Sequence, residues 1–78
     1  MATTMWEVRA ADGRLDQLIA WVKERVSDDA QVFRSADDEA RVVVIDASPR
    51  AAEGLADVPD DLVARPPHSW DFEPVGNG

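Results

Sequence analysis

Four consecutive β-branched residues, Val42 to Ile45, set the first constraint on this chain. Strand residues alternate between two faces, so Val42 and Val44 point one way and Val43 and Ile45 the other. A strand apolar on both sides is normally central in its sheet and covered from both sides. Yet only one stretch of the sequence is long and periodic enough for a substantial amphipathic helix. Leu15, Leu18, Ile19, Val22 and Val26 fall on one stripe at i, i+3, i+4, i+7, i+11, while Asp16, Gln17, Lys23 and Glu24 turn away from it. One helix covers one face of a small sheet. The other face needs the C-terminal third of the chain or a second copy of the protein. Val42, Val43, Val44 and Ile45 are therefore candidate interface residues.

The remaining elements follow from local pattern. Met5 to Ala10 alternates, with Trp6 and Val8 on one face and Glu7 and Arg9 on the other, which predicts a half-buried strand. Ala11-Asp12-Gly13 breaks it, and Asp12 is the expected N-cap of the helix Leu15–Val26. Ser27-Asp28-Asp29 ends that helix. Gln31–Ser35 and Ala40–Asp46 read as two strands, joined by the short polar link Ala36-Asp37-Asp38-Glu39 into an antiparallel hairpin. Ser48-Pro49 is a helix start, with Gly54 limiting it to about one turn. A second short turn is expected over Val58–Val63, again initiated by a proline. Pro66 and Pro67 force the following chain to be extended, and His68, Trp70 and Phe72 then share one side of a short strand or strap.

A single domain spans 1–78, with 1–4 and 76–78 expected to fray. The formal charge of −8, from 16 acidic against 8 basic side chains, repels phosphate backbones, and no basic stripe offsets it. Nucleic acid is thus not an expected partner. No run approaches the about 18 apolar residues of a membrane span, and the N-terminus carries no signal-peptide pattern, so a cytoplasmic location is expected. There is no cysteine, which removes disulfides, thiolate metal sites and cysteine nucleophiles. The preference for Arg over Lys is similar to a GC-rich bacterial coding bias, or to the surface of a halophile.

The order β-α-β-β, a broken helical segment, then β, defines an α+β fold of the ferredoxin-like kind with a degenerate second helix. It resembles the dimeric α/β-barrel superfamily, which includes the antibiotic-biosynthesis-type monooxygenases. That resemblance spans nearly the whole chain and implies sheets of two subunits facing each other with helices outside. Members that oxidise polycyclic substrates without a cofactor use Trp, Asn, Tyr and Arg in the pocket; here Tyr is absent and Asn77 is the one asparagine. The Val42–Asp46 strand and the His68–Phe72 ending are also similar to those of short bacterial proteins.

His68 is the one histidine, and Ser69 and Asp71 supply the other residue types of a catalytic triad. Adjacent strand residues point to opposite faces, so His68 does not reach Ser69, and no catalytic set is expected. A metal site would need carboxylates such as Asp46 or Asp61 brought to His68 from elsewhere, and none is expected. Asp37-Asp38-Glu39 lacks the ligand spacing and central glycine of a calcium loop and reads as a solvated hairpin tip. Asp60 and Asp61 read as negative charge at the start of a short turn. No phosphate-loop, dinucleotide or zinc motif occurs, so no cofactor is implied.

The candidate binding residues are Trp21, at the margin of the helix stripe, and Arg65, His68, Trp70 and Phe72. The segment carrying the last four serves either a partner surface or, as the preferred expectation, a clasp in which Trp70 and Phe72 close a small core. Three functional readings follow. The first is a non-enzymatic binding or accessory domain that forms a homodimer through its sheet. The second is a small dimeric α/β-barrel enzyme or ligand-binder, with a pocket between sheet and helix near Trp21, Phe33, His68 and Trp70. The third is an acidic partner or inhibitor of a basic protein.

Overall fold

The strict alternation of β1 (Thr3–Arg9) is the geometric reference for the molecule, because its even-numbered side chains are buried and its odd-numbered ones are not. The structure, a computed structural model, describes residues 3–47, 51–73 and 75. After β1 come α1 (Leu15–Arg25), β2 (Gln31–Arg34), β3 (Arg41–Asp46), α2 (Ala51–Leu55), a 3-10 turn (Asp60–Leu62) and β4 (His68–Phe72). The strands form one antiparallel sheet in the order β2-β3-β1-β4. This is the ferredoxin-like α+β arrangement, with the second helix reduced to five residues. The Ser48-Pro49 helix start lies outside the described residues.

The helix stripe performs as its spacing requires. Leu18 and Val22 are fully buried against Trp6, Val8, Val42 and Val44, with Leu15, Ile19 and Val26 packed at the edge. Burying each such aliphatic side chain stabilises the fold by about 1.5–3 kcal/mol relative to exposure. Thr3 and Thr4 extend β1 beyond its sequence-read start at Met5. The Thr4 hydroxyl donates to the Asp71 carboxylate at 3.2 Å, joining the first strand to the last.

The start of α1 differs from expectation. Asp12 lies too early to be the N-cap: Gly13 adopts φ +75°, and the Arg14 amide donates to the Ala11 carbonyl at 2.9 Å. The helix begins only at Leu15, with Arg14 at the cap position and no side-chain capping bond. A glycine that turns left-handed at little steric cost lets the chain make one more tight turn before the helix starts.

The C-terminal third is divided between two tasks. Leu55, Val58 and Leu62 join the core on the helix side of the sheet. A Cβ built on Gly54 would stand 3.1 Å from the Arg25 carbonyl oxygen, so a side chain there would press on the last turn of α1. Beyond the 3-10 turn the chain runs along β1, with Ala10 bridged to Val63 and the Ala64 amide donating to Arg9 at 2.8 Å. β4 then completes the sheet as an edge strand. No described element of this third crosses to the other face.

Candidate functional site

The register of the sheet decides what the uncovered face contains. Trp70 pairs with Met5 and Met5 with Ile45; His68 pairs with Glu7, Glu7 with Val43, and Val43 with Phe33. These side chains therefore lie on the face opposite α1, in two rows across the strands. Phe72, opposite Thr3, extends the apolar end. Phe33 is 51% exposed, Trp70 44% and Phe72 51%, while Met5, Val43 and Ile45 are half-buried by their neighbours. His68 and Trp70 stack, with ring centroids 5.8 Å apart and planes 15° from parallel.

Trp70 and Phe72 thus do not act as the expected clasp. Their pairing with β1 fixes them on the side away from α1, where they close no core among the described residues. Of the candidate interface residues, only Val43 and Ile45 lie on the uncovered face. Val42 and Val44 lie beneath α1 and are buried, so they are core and not available to a partner. The β-branched run is apolar on both faces because one face serves the chain's own core and the other remains open.

The opposite end of the open face is charged. Arg65 Nη2 stands 3.5 Å from Glu7 Oε1, and the same oxygen is 3.7 Å from Arg41 Nε. Arg41 Nη2 lies 3.0 Å from Glu39 Oε2, and Glu39 Oε1 is 3.8 Å from Arg9 Nη2. The result is an alternating ladder, Arg65–Glu7–Arg41–Glu39–Arg9, that begins and ends on a cation. The Nε–H groups of Arg9 and Arg41 are buried and donate no hydrogen bond among the described residues. At the adjoining hairpin tip, the Glu39 amide donates to the Asp37 carboxylate at 3.0 Å. That bond, aided by the Ser35 hydroxyl and the positive charge of Arg41, holds the Asp37 carboxyl below its ordinary pKa.

Trp21 is on the other side of the sheet. Its ring packs on the margin of the core and so does not share a pocket with Phe33, His68 and Trp70. It borders instead a surface groove of about 460 Å3 between α1 and the 3-10 turn, where Arg14, Gln17 and Glu24 face Pro59, Asp61 and Leu62. The Arg25 guanidinium lies over the Trp21 ring, 4.9 Å from its centroid.

Sequence reasoning missed Met5, although its place in phase with Glu7 marked it for the open face. It also missed the ion ladder, whose members are brought together only by the pairing of β1 with β3. The groove had a partial signal, since Arg14, Gln17, Trp21 and Glu24 recur at helical spacing on a face beside the apolar stripe.

No family model matches the chain, and no curated protein matches it. Solved structures do. The Mycobacterium tuberculosis protein Rv0793 is similar over 96% of this chain and 95% of its own, with 16% identity and a TM-score of 0.69. A Chloroflexus aurantiacus J-10-fl protein, assigned by name as an antibiotic biosynthesis monooxygenase, is similar over 99% of this chain and 95% of its own, with 20% identity and a TM-score of 0.66. At these identities the likeness establishes the fold, and it is the ferredoxin-like fold that the resemblance to the antibiotic-biosynthesis-type proteins implies.

Proposed function

We propose that the protein is a binding module that acts as a homodimer, its two sheets stacked open face against open face and the α1 helices outside. The observation that carries this reading is the set of three exposed aromatics, Phe33, Trp70 and Phe72, arranged with Met5, Val43 and Ile45 on a face that no described element covers. A contiguous apolar surface of this kind marks an interaction site, and tryptophan, methionine and phenylalanine are enriched in interface cores. The ion ladder lies at the edge of the same face, where charged groups fit a polar rim. A second copy suits the surface because strands of one sheet stack readily on another at about 10 Å, with alternate side chains interdigitating.

Light scattering over a dilution series tests the proposal. A mass of twice the chain, falling toward one chain only on strong dilution, is the expected result. A single-chain mass at high protein concentration rejects it.

The likeness to the Chloroflexus protein favours a second reading, in which the dimer oxidises a small organic substrate. Oxygen uptake in the presence of a panel of polycyclic phenols would support this reading, and its absence would leave the binding module as the function.

A further inference from the structure

We propose that the groove beside Trp21 binds a small organic cation, of the quaternary ammonium or alkylguanidinium class. This site is separate from the open sheet face and does not depend on dimer formation. Three features of the groove point to that ligand. It is a shallow groove, largely open to solvent, with about 460 Å3 of space, room for a small ligand that rests on its floor. Its wall includes the indole of Trp21, the aromatic side chain with the strongest attraction for a cation on its face. Its polar lining contains two carboxylates, Glu24 on α1 and Asp61 on the 3-10 turn, set against the single guanidinium of Arg14.

Each feature has a specific physical role. Trp21 is held against the core by its neighbours, so its ring presents a fixed surface and loses little freedom when a ligand arrives. Pro59 and Leu62 supply apolar contact for the methyl or methylene groups of the ligand, while Glu24 and Asp61 approach its charge from two elements. Arg14 is engaged with Gln17, donating from Nη1 to the side-chain carbonyl oxygen at 2.7 Å. The resident Arg25 guanidinium, 4.9 Å from the ring centroid, already uses the indole as a cation acceptor. It is not a lining residue of the groove, and its positive charge opposes a second cation on the same ring. The formal charge of −8 adds a long-range attraction for cations over anions.

The test uses choline and its uncharged isostere 3,3-dimethylbutan-1-ol, titrated separately into the 15N-labelled full chain. Choline should shift the Trp21 indole resonance and the amides of Gln17, Glu24 and Asp61, at millimolar concentration and with weakening at high salt. The neutral alcohol should bind at least about tenfold more weakly, the size expected of a cation–π contact assisted by carboxylates. The doubly neutralised variant Glu24→Gln/Asp61→Asn should weaken choline binding several-fold, and Arg25→Gln should strengthen it. Both changes are at exposed side chains, so the amide spectrum of each variant reports an intact fold. Equal binding of the two probes, shifts confined to the Asp37–Glu39 tip, or no shift at 50 mM choline would each overturn the proposal.

Discussion

The two faces of the sheet are built from the same strands and from similar side chains, and among the described residues only one is closed. On the helix side Trp6, Val8, Val42 and Val44 meet Leu18, Val22 and Leu55 and are buried to 2% exposure or less. On the other side Met5, Val43 and Ile45 are their immediate neighbours in sequence, yet Phe33, Trp70 and Phe72 around them remain about half exposed. The difference is one of supply. Among the described residues there is a single long helix to lay on the sheet, and the short C-terminal helical pieces settle on that same layer. What the comparison teaches is that apolar alternation measures how much surface must be buried, without saying which molecule buries it.

The largest effect should come from opening the closed face. Leu18→Ala removes a fully buried side chain and should cost about 2–5 kcal/mol, a large part of the total stability of so small a domain. Urea unfolding at low protein concentration measures it; an unchanged midpoint would mean that the helix layer is not the core. Next is a charge on the open face. Ile45→Asp should weaken the proposed dimer by about 30-fold or more, as expected at a central interface position, while shifting the stability of the single chain by about 1 kcal/mol or less. Sedimentation equilibrium paired with thermal unfolding separates these effects, and a large loss of monomer stability would show that the open face has an intramolecular role.

A smaller change probes the edge of the closed layer. Asp46 is 2% exposed and accepts the Ser27 hydroxyl at 3.0 Å, tying the end of α1 to β3. Ser27→Ala should cost about 1–3 kcal/mol, the range for a bond to a carboxylate, visible as a lower urea midpoint. The smallest effect is at the charged rim. Because the folded Asp37 carboxyl titrates below its unfolded value, its contribution is present above the unfolded pKa and is lost as pH falls through the folded one. Carboxyl NMR should find Asp37 below the ordinary aspartate range, and Ser35→Ala should move it back upward. A titration unchanged by that substitution would remove the hydroxyl from the set of causes.

Much of the fold was readable from periodicity. The helix stripe, the hairpin, the central place of β3 and the ferredoxin-like order all depend on short-range spacing that the sequence displays directly. The site was less legible, for a physical reason. Alternation placed His68, Trp70 and Phe72 on a common side, but only the pairing of Glu7 with His68 and Met5 with Trp70 says which side that is. A shift of one residue in that register would have turned them into the core and made the clasp correct. The same holds for the ion ladder, whose members come from β1, the hairpin and the segment before β4 and are neighbours only once the sheet has formed. Trp21 was recognised as marginal to the stripe, whereas the groove beside it required knowing where the 3-10 turn docks.

The pairing of β1 with β4 has a consequence for how the molecule is made. Residues 3–7 find their partners at 68–72, so every other strand of the sheet is made before that seam can form. Until then β1 is a border strand, its outer amides and carbonyls unpaired, while β3 and the hairpin can already dock on its inner side. Long loops must close before such contacts yield any stabilisation, which slows folding relative to a helical domain of the same size. A chain without residues 68–72 would therefore carry a three-stranded sheet with an unpaired border, a state prone to self-association.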